Sequence, residues 1–319
     1  MHDREGFCQP SQRDNEILFA KKLSPKSLKK NKTLRKKSAI RFLKKLSREH
    51  INQKQLAVFA FDVIGIHISV EGIYEKAELD LLFEWLSKHH KLFKSSAALD
   101  IGANIGNHSL YFSDYFSKVF SFEPNGRTFK LLSLNSELAN NVECFNFGLS
   151  NKAEAAFLHT PYNDIGRSSI KNIVNPSDIW QKSKIILKRF DDIFNSDLQI
   201  SLIKIDVEGH EYEVMAGAER SIKNNKPLII FEQHSDDFYN GTSRCIELLE
   251  SYGYKEFASI DLKHRSDRKY PKILQNLINW ILPRFIGTSY QITVHSRFEH
   301  RLHNFIIAIP DWVKSPRFK

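Results

Sequence analysis

Short, nearly continuous apolar runs alternate with amphipathic helical patterns through the middle of the chain. The runs are AALDI (97–101), VFSFE (119–123), VECFNF (142–147), SLIKID (201–206) and PLIIFE (227–232). Helical patterns follow at about 106–117, 126–140, 211–224 and 242–252. Strands that are apolar on both faces are typical of a parallel sheet covered by helices on both sides. The alternation therefore predicts an α/β fold built from right-handed strand–helix–strand units.

The regions that flank this alternation predict further elements. Strands are expected at 254–262 and 304–310, which completes a mostly parallel sheet of seven strands. The insert between them, 263–303, contains ILQNLINWILPRFIG, whose apolar residues could cover a pocket, pack on the sheet or touch a membrane. On the other side, the β-branched and aromatic residues of 58–74, interrupted by glycines, predict a hairpin. A helix should follow it, with one face formed by Leu79, Leu82, Phe83 and Leu86.

Charge divides the chain into a basic arm and a mildly acidic remainder. The segment from Lys21 to Arg48 holds 13 Lys or Arg residues and no Asp or Glu, whereas the whole chain carries a formal charge of +10. We therefore predict a basic N-terminal arm at 1–55 and a folded domain at 56–319. That domain would consist of the hairpin and helix (56–94), a core (95–262), the insert (263–303) and a last strand (304–310). Two interpretations of the arm stay open, a solvated and partly helical segment or electrostatic docking onto an anionic membrane or glycan.

Cysteine usage and hydropathy argue against several classes of protein. The three cysteines, Cys8, Cys144 and Cys245, lie far apart and form no CxxC pair, so neither a zinc site nor a disulfide framework is expected. No apolar run approaches the roughly 20 residues that cross a bilayer, and the polar N-terminus lacks the apolar core of a secretory signal. We expect a reducing, cytoplasmic setting, with peripheral membrane contact through residues 21–48 as an option.

A glycine-rich turn at the end of the first predicted strand is the sharpest chemical feature. It reads LDIGANIG, with Asp100 at the strand end and Gly102, Asn104 and Gly106 in a GxNxG pattern. Glycines let the backbone approach a ligand, and the following helix offers free N–H groups. Because the dinucleotide fingerprint is GxGxxG, the pattern disfavours a pyrophosphate, and Asp100 suits the ammonium group of an amino-acid ligand better. The alternative is a purely structural turn.

An acid also ends the second predicted strand. Glu123 follows VFSF, where a carboxylate can accept hydrogen bonds from both hydroxyls of a ribose. Its spacing from the glycine turn predicts a nucleoside site, against the simpler alternative of a solvated acid.

Ionisable residues crowd the ends of the fourth and fifth predicted strands. The segment IKIDVEGHEYEV contains Asp206, Glu208, His210 and Glu211, and IIFEQH contains Glu232 and His234. Ligands bind outside the carboxyl ends of the strands in open α/β sheets, so these groups are expected to face one cleft. Glu211 could instead stabilise the start of the next helix. The carboxylates could also hold Mg²⁺ or Mn²⁺, but the polarity of a cleft explains them equally well, and we predict no metal.

The order of the motifs resembles the FkbM family of methyltransferases. The motifs are LDIGANIG, FSFEPN, NFGLSN, GRSSI, LKRFDDI, IKIDVEGHE and IIFEQH. The resemblance runs from Gly72 to Gln233, about half of the chain, and leaves out the basic arm and the 263–303 insert. It implies a class I methyltransferase (Rossmann-like) fold with S-adenosylmethionine as cofactor. It also implies O-methylation of a sugar hydroxyl in a glycan, glycolipid or natural product.

The resemblance further implies roles for individual residues. The methionine end of the cofactor would be lined by Asp100, Gly102, Asn104 and Gly106. Glu123 would take the ribose hydroxyls, and Asn146 or Gly148 would lie near the adenine. Ala103 and Pro124 complete the predicted cofactor-binding set.

Methyl transfer to a hydroxyl depends on holding the acceptor oxygen in line with the methyl group and on excluding water. A general base helps because a sugar hydroxyl has a high pKa. The predicted candidates are His210 and His234, with Asp206 or Glu208 to orient or replace them. The competing interpretation is that these polar groups only satisfy one another.

Three other functions are weighed against this one. An RNA methyltransferase would suit the basic arm, but neither a DPPY-like tetrapeptide nor a cysteine follows the fourth strand, so no nucleic-acid partner is expected. An NAD-dependent oxidoreductase is disfavoured by the GxNxG pattern. A non-catalytic binding protein could share the same fold. The residues do not predict the identity of the acceptor or the oligomeric state.

Overall fold

The computed structural model describes residues 30–60, 62–161, 168–170, 180–194, 197–262 and 289–313. The helices are α1 Lys30–Glu49, α2 Val63–Glu71, α3 Lys76–Trp85, α4 His90–Lys94, α5 Asn107–Phe112, α6 Gly126–Ser136, α7 Phe190–Ile193, α8 Glu211–Gly217, α9 Glu219–Asn225 and α10 Arg244–Ser251. The first strands are β1 Ala97–Ile101, β2 Lys118–Phe122, β3 Val142–Phe145, β4 Gly148–Leu149, β5 Glu154–Pro161, β6 Trp180–Lys188 and β7 Ile200–Ile205. The remaining strands are β8 Leu228–Gln233, β9 Phe238–Tyr239, β10 Thr242–Ser243, β11 Glu256–Leu262, β12 Tyr290–His295 and β13 His303–Ile309. None of these described helices combines the length and apolar character that a bilayer crossing requires.

The chain divides into two units, Met1–Ile51 and Asn52–Lys319. In the first unit the described structure consists of α1 and the turn that follows it. The first nine residues of the predicted basic segment, 21–29, lie outside the described residues. All other elements belong to the second unit, which contains the predicted site.

The main sheet of the second unit has the strand order β12-β11-β13-β8-β7-β1-β2-β3. Strands β3, β2, β1, β7 and β8 are parallel, and β13 pairs antiparallel with both β8 and β11. All seven predicted strands form, which confirms the mostly parallel sheet. The sheet has one strand more than predicted, because β12 arises from the segment assigned to the insert and pairs antiparallel with β11. Residues 263–288 of that insert lie outside the described residues.

Both faces of the sheet are buried, as its continuous apolar strands predict. Leu99 of β1 belongs to a core cluster with residues of α8, α9 and α10. Its neighbour Ala98 points to the other face and joins a cluster with residues of α3 and α5. Successive side chains on a strand point to opposite faces, so helices cover both sides. This arrangement confirms the predicted α/β, class I methyltransferase fold.

The hairpin predicted within 58–74 is wrong, because residues Val63–Glu71 form helix α2. Asp62 caps its start and accepts a hydrogen bond from the amide of Ile64 at 3.2 Å. Gly72, at φ +83°, ends it. A side chain at Gly65 would place its Cβ 2.2 Å from the carbonyl oxygen of Phe59, so glycine allows the helix to pack on the preceding segment. Caps and packing thus outweigh the strand preference of β-branched residues.

A small second sheet with the strand order β4-β6-β5 stands beside the main one. Strand β4 is parallel to β6, and β5 is antiparallel to it. The predicted run 142–147 therefore contains β3 and ends just before β4 begins. Leu158, Ile185 and Leu187 form the buried face of this sheet, which supplies one wall of the site described next.

Candidate active site

The turn after β1 is held against the neighbouring strands. The amides of Gly102 and Ala103 both donate to the carbonyl oxygen of Phe122, each at 3.0 Å. Gly102 has a φ of +77°, and a Cβ there would lie 1.8 Å from the carbonyl oxygen of Asp206. Gly106, at φ +91°, precedes α5. Glycine thus lets this turn pass directly against the loop after β7.

Asp100 lies beneath this turn rather than on its open side. Its carboxylate is fully buried and accepts a hydrogen bond from Ser109 Oγ at 2.6 Å. Lys204 Nζ lies 3.5 Å from the other carboxylate oxygen and donates to the carbonyl oxygen of Gly102 at 3.2 Å. Asp100, which was expected to contact the ligand, therefore does not line either cavity. Asp100 instead positions the turn and Lys204.

Glu123 stands at the end of β2, as predicted, and its two oxygens have fixed partners. One accepts from the amide of Asn104 at 3.0 Å, and the other accepts from the amide of Asn125 at 2.8 Å. Burial raises the pKa of Glu123 to about 7, although the two amides act in the opposite direction. The carboxylate is thus aimed by the backbone and still has lone pairs for further donors.

A first cavity of about 670 Å³ of open space lies above the carboxyl ends of β1 and β2. Five predicted cofactor-binding residues line it, namely Gly102, Asn104, Glu123, Pro124 and Gly148. The other lining residues are Ile101, Phe122, Thr128, Leu149, Leu158, Ser168, Ile170, Leu187, Asp206, Val207, Glu208 and His210. In the wall formed by the small sheet, sequence reasoning assigned a role only to Gly148. Further clues were the NFGLSN, GRSSI and LKRFDDI motifs, which contain Leu149, Ser168, Ile170 and Leu187.

Four predicted cofactor residues do not line this cavity. They are Asp100, Ala103, Gly106 and Asn146. Asn146 donates to the carbonyl oxygen of Glu123 at 2.9 Å, so it positions the strand end. Ala103 and Gly106 shape the turn itself, where the amide of Gly106 donates to the carbonyl oxygen of Ala103 at 2.8 Å.

A second cavity of about 850 Å³ of open space adjoins the first. Its lining residues are Val63, Ile64, Tyr74, Glu75, Asn104, His108, Lys204, Ile205, Asp206, Glu208, Ile230, Phe231, Glu232, Asn304 and Phe305. Three residues, Asn104, Asp206 and Glu208, line both cavities. A molecule bound in the first cavity and a molecule bound in the second would therefore both lie next to these three residues.

Lys204 is a buried cation at this junction that sequence reasoning missed. Its Nζ lies 3.1 Å from Asp206 Oδ2. Burial opposes its charge, but Asp206 and Asp100 outweigh burial and raise the pKa of Lys204. Burial likewise works against ionisation of Asp206, and the charge of Lys204 reverses the balance and lowers the pKa of Asp206. The two side chains therefore form an ion pair in which Lys204 is buried and Asp206 is partly exposed.

The ends of β7 and β8 bring Glu208, Glu232 and His234 together, as predicted. His234 Nε2 lies 3.6 Å from Glu208 Oε2. Burial, followed by the charges of Asp206 and Glu208, raises the pKa of Glu232 to about 8. Hydrogen bonding to Glu208 raises the pKa of His234 to about 9, against the effect of burial. At neutral pH Glu232 is therefore mainly protonated and His234 mainly charged.

These three side chains also form a possible metal-binding group. One ligand atom from each of Glu208, Glu232 and His234 lies within 4.8 Å of the others. Oxygen and imidazole ligands of this kind can bind a divalent cation. The raised pKa values of Glu232 and His234 favour a proton on each, which reduces the repulsion between the two carboxylates when no cation is bound.

The expectation that all five ionisable groups face one cleft is met only in part, because His210 shares the first cavity with Asp206 and Glu208, whereas Glu232 lines only the second. The Nε2 atom of His210 lies 3.0 Å from Ser150 Oγ, and its Nδ1 atom lies 3.6 Å from Glu213 Oε2. Gly209, at φ +90°, turns the loop between Glu208 and His210. Glu208 lines both cavities, whereas His210 lines only the first of the two.

The loop after β7 is fixed by Glu211 in the first turn of α8. One Glu211 oxygen accepts from the amides of Gly209 at 3.0 Å and Val207 at 3.3 Å. Ser169 Oγ donates to the carbonyl oxygen of Glu208 at 2.9 Å. Glu208 itself has a φ of +53°. A non-glycine residue in this region carries backbone strain of the kind that concentrates at functional sites.

Comparison with known proteins agrees with these motifs. Residues 100–256 match the family model described as the methyltransferase FkbM domain. The chain is 30% identical over 142 residues to the hexuronic acid methyltransferase AglP of Haloferax volcanii. That match covers 43% of this chain, which spans about half the length of the relative, 55%.

Solved structures with a similar fold were also found. A methyltransferase FkbM from Methylobacillus flagellatus is 18% identical with a TM-score of 0.34, covering 70% of this chain and 55% of that one. A precorrin-6y C5,15-methyltransferase from Geobacter metallireducens is 15% identical with a TM-score of 0.38, covering 75% and 93%. An Aeropyrum pernix fibrillarin in complex with S-adenosyl-L-methionine is 12% identical with a TM-score of 0.31, covering 53% and 59%. From the match over 100–256 and the motifs that this range contains, the chain carries an FkbM methyltransferase domain.

Proposed function

We propose that this chain transfers a methyl group from S-adenosylmethionine to a sugar hydroxyl in a glycan, glycolipid or natural product. The observation behind this proposal is the junction of two cavities at Asn104, Asp206 and Glu208. One cavity has the features of a nucleoside site, and the other has the carboxylates that a polyol acceptor needs.

The residues of the first cavity fit S-adenosylmethionine. A Cβ on Gly148 would lie 2.7 Å from Leu187 Cδ2, so the cavity wall is closely packed around a residue without a side chain. Glu123 is aimed by two amides and keeps lone pairs for the ribose hydroxyls. Gly102 and Asn104 at the junction would hold the methionine end. Bound S-adenosylmethionine would supply the methyl group on a positively charged sulfur.

The residues of the second cavity fit a neutral, hydroxyl-rich acceptor. Asp206, Glu208 and Glu232 offer oxygen acceptors, and Lys204 is already paired with Asp206. Such a lining accepts hydrogen bonds from sugar hydroxyls and repels the phosphates of RNA. The name of the curated relative, a hexuronic acid methyltransferase, supports a sugar acceptor. The described lining of the second cavity therefore disfavours an RNA acceptor.

Glu208 is the strongest candidate for the general base. It lines both cavities, whereas His210 lines only the first and His234 lines neither. Asp206 shares the junction, but the pairing with Lys204 that lowers its pKa makes it a weaker base. His234, held at 3.6 Å, positions Glu208. Asp206 would then orient the acceptor hydroxyl.

The proposal is tested by incubating the full chain with S-adenosylmethionine that carries a labelled methyl group. Neutral oligosaccharides, uronic-acid oligosaccharides and RNA would be offered as acceptors in parallel. We expect label in a carbohydrate, at an alkali-stable ether position. Label in RNA would contradict the acceptor class, and label released by mild alkali would indicate a methyl ester in place of an ether. Failure to bind the cofactor in calorimetry would contradict the enzymatic function itself.

A further inference from the structure

Helix α1 presents a large exposed surface that the proposed function does not use. Within its second half, Ile40 is 43% exposed, Phe42 53% and Leu43 51%. Exposed apolar side chains so close together in one helix need an explanation, because single ones are common and groups of them mark interaction surfaces.

The exposed residues of α1 divide into two faces. At about 100° per residue, Ile40, Phe42 and Leu43 fall within an arc of roughly 160°. The opposite arc holds five exposed basic side chains, Lys37, Arg41, Lys44, Lys45 and Arg48, together with the exposed Ser38 and Glu49. Lys36 falls within the apolar arc, where a long aliphatic stem can reach past apolar neighbours.

We propose that α1 docks lengthwise on an anionic phospholipid membrane. An interfacial helix buries an apolar face at the boundary of the acyl chains, while basic side chains beside it contact acidic headgroups. The 13 basic residues between Lys21 and Arg48, with no acid among them, complement such a surface. The apolar face distinguishes this partner from a nucleic acid, whose phosphates would need only the basic face. The proposal is independent of the proposed methyl transfer.

The test uses the full chain and vesicles of phosphatidylglycerol mixed with phosphatidylcholine, in a sedimentation assay at low and high salt. One variant, Phe42→Gln with Leu43→Gln, removes apolar contact while keeping residues that favour helix. A second, Lys37→Gln with Lys44→Gln, removes two charges that have no ion-pair partner in α1. The matched control, Lys88→Gln with Lys130→Gln, removes two exposed charges from the other unit.

We expect each α1 variant to weaken vesicle binding about tenfold or more, since apolar burial and headgroup attraction both contribute. The control should bind like the unaltered chain, and high salt should weaken every anionic-vesicle interaction. All variants should keep the melting temperature of the unaltered chain, which separates a docking defect from misfolding. Equal binding to pure phosphatidylcholine, or full binding by the Phe42→Gln, Leu43→Gln variant, would overturn the proposal. Tighter binding to RNA than to vesicles would also overturn it.

Discussion

The two cavities share three residues, yet they are built in different ways. The first is shaped by the backbone, because glycines at 102 and 148 leave room and two amides aim Glu123. The second is lined by ionisable side chains whose charges depend on one another, as the raised pKa of Glu232 and the buried Lys204 show. The affinity for the cofactor in the first cavity should therefore depend mainly on the positions of its lining groups. The rate of the reaction in the second cavity should depend mainly on the charges of its side chains.

The largest expected effect comes from removing the proposed base. Glu208→Gln keeps the size of the side chain and removes its capacity to accept a proton. We expect turnover to fall roughly 10²- to 10⁴-fold, the usual contribution of a general base. Because Glu208 lies at the end of the first cavity, the affinity for S-adenosylmethionine should change little. Single-turnover kinetics and calorimetry on the same protein measure the two quantities.

A matched control and a metal test sharpen this prediction. Glu143→Gln removes an exposed carboxylate on β3, which pairs with Lys118, and should leave turnover unaltered. We also expect EDTA to leave turnover unaltered, because His234 and the protonated Glu232 already balance the cluster. If EDTA abolished turnover and Mg²⁺ restored it, Glu208, Glu232 and His234 would be metal ligands and the assignment of the base would be wrong.

The next largest effect concerns the ion pair at the junction. Lys204→Met would leave Asp100 buried without its cation and Asp206 unpaired at the junction. Removing one partner of a buried pair costs about 3–5 kcal/mol, so the free energy of unfolding in urea should fall by that order. Adding Asp206→Asn removes one of the stranded charges and should restore part of the loss. A loss below about 1 kcal/mol would show that Lys204 does not hold the junction together.

A smaller effect is expected in the first cavity. Glu123→Gln replaces an aimed carboxylate with an amide, and the loss of a charge-assisted hydrogen bond costs about 1.5–3 kcal/mol. The affinity for S-adenosylmethionine should therefore fall roughly 10- to 150-fold, with much less effect on the turnover of saturated enzyme. Asp100→Asn is the contrasting variant, since its buried side chain should affect stability more than affinity. If Asp100→Asn lowered the affinity and Glu123→Gln lowered mainly the stability, the roles assigned to the two residues would have to be exchanged.

Sequence reasoning predicted well the elements that are marked by a short, continuous stretch of the chain. Each parallel strand is a short apolar run, and the glycine turn and Glu123 follow their strands directly, so order along the chain predicts position in space. The hairpin at 58–74 failed because its β-branched residues were weighed above the helix caps Asp62 and Gly72. The strand preference of such residues depends on context.

The parts that sequence reasoning missed depend on contacts between distant residues. Lys204 reads as an ordinary polar position in β7, and only the neighbouring β1 brings Asp100 to it. The wall formed by Leu158 and Leu187 requires pairing of β5 with β6 across residues outside the described ranges. Glu208 and His210 share the first cavity, but only Glu208 also lines the second, a difference that their closeness in sequence does not predict.

A further expected effect is a dependence of stability on pH, to which Glu232 of the second cavity contributes. The pKa of Glu232 is raised from 4.5 to about 8, so the folded state favours the protonated form. Its contribution to stability is fully present below about pH 4.5 and is lost as the pH rises through 8. Glu232→Gln should therefore flatten the fall in unfolding free energy over that window, measured in urea at fixed salt. Glu143→Gln should leave the slope unaltered. His234 acts in the same direction at higher pH, because its pKa is raised from 6.5 to about 9. If the unfolding free energy of the Glu232→Gln variant fell with pH as steeply as that of the unaltered chain, the pKa of Glu232 would not be raised by its neighbours in the second cavity.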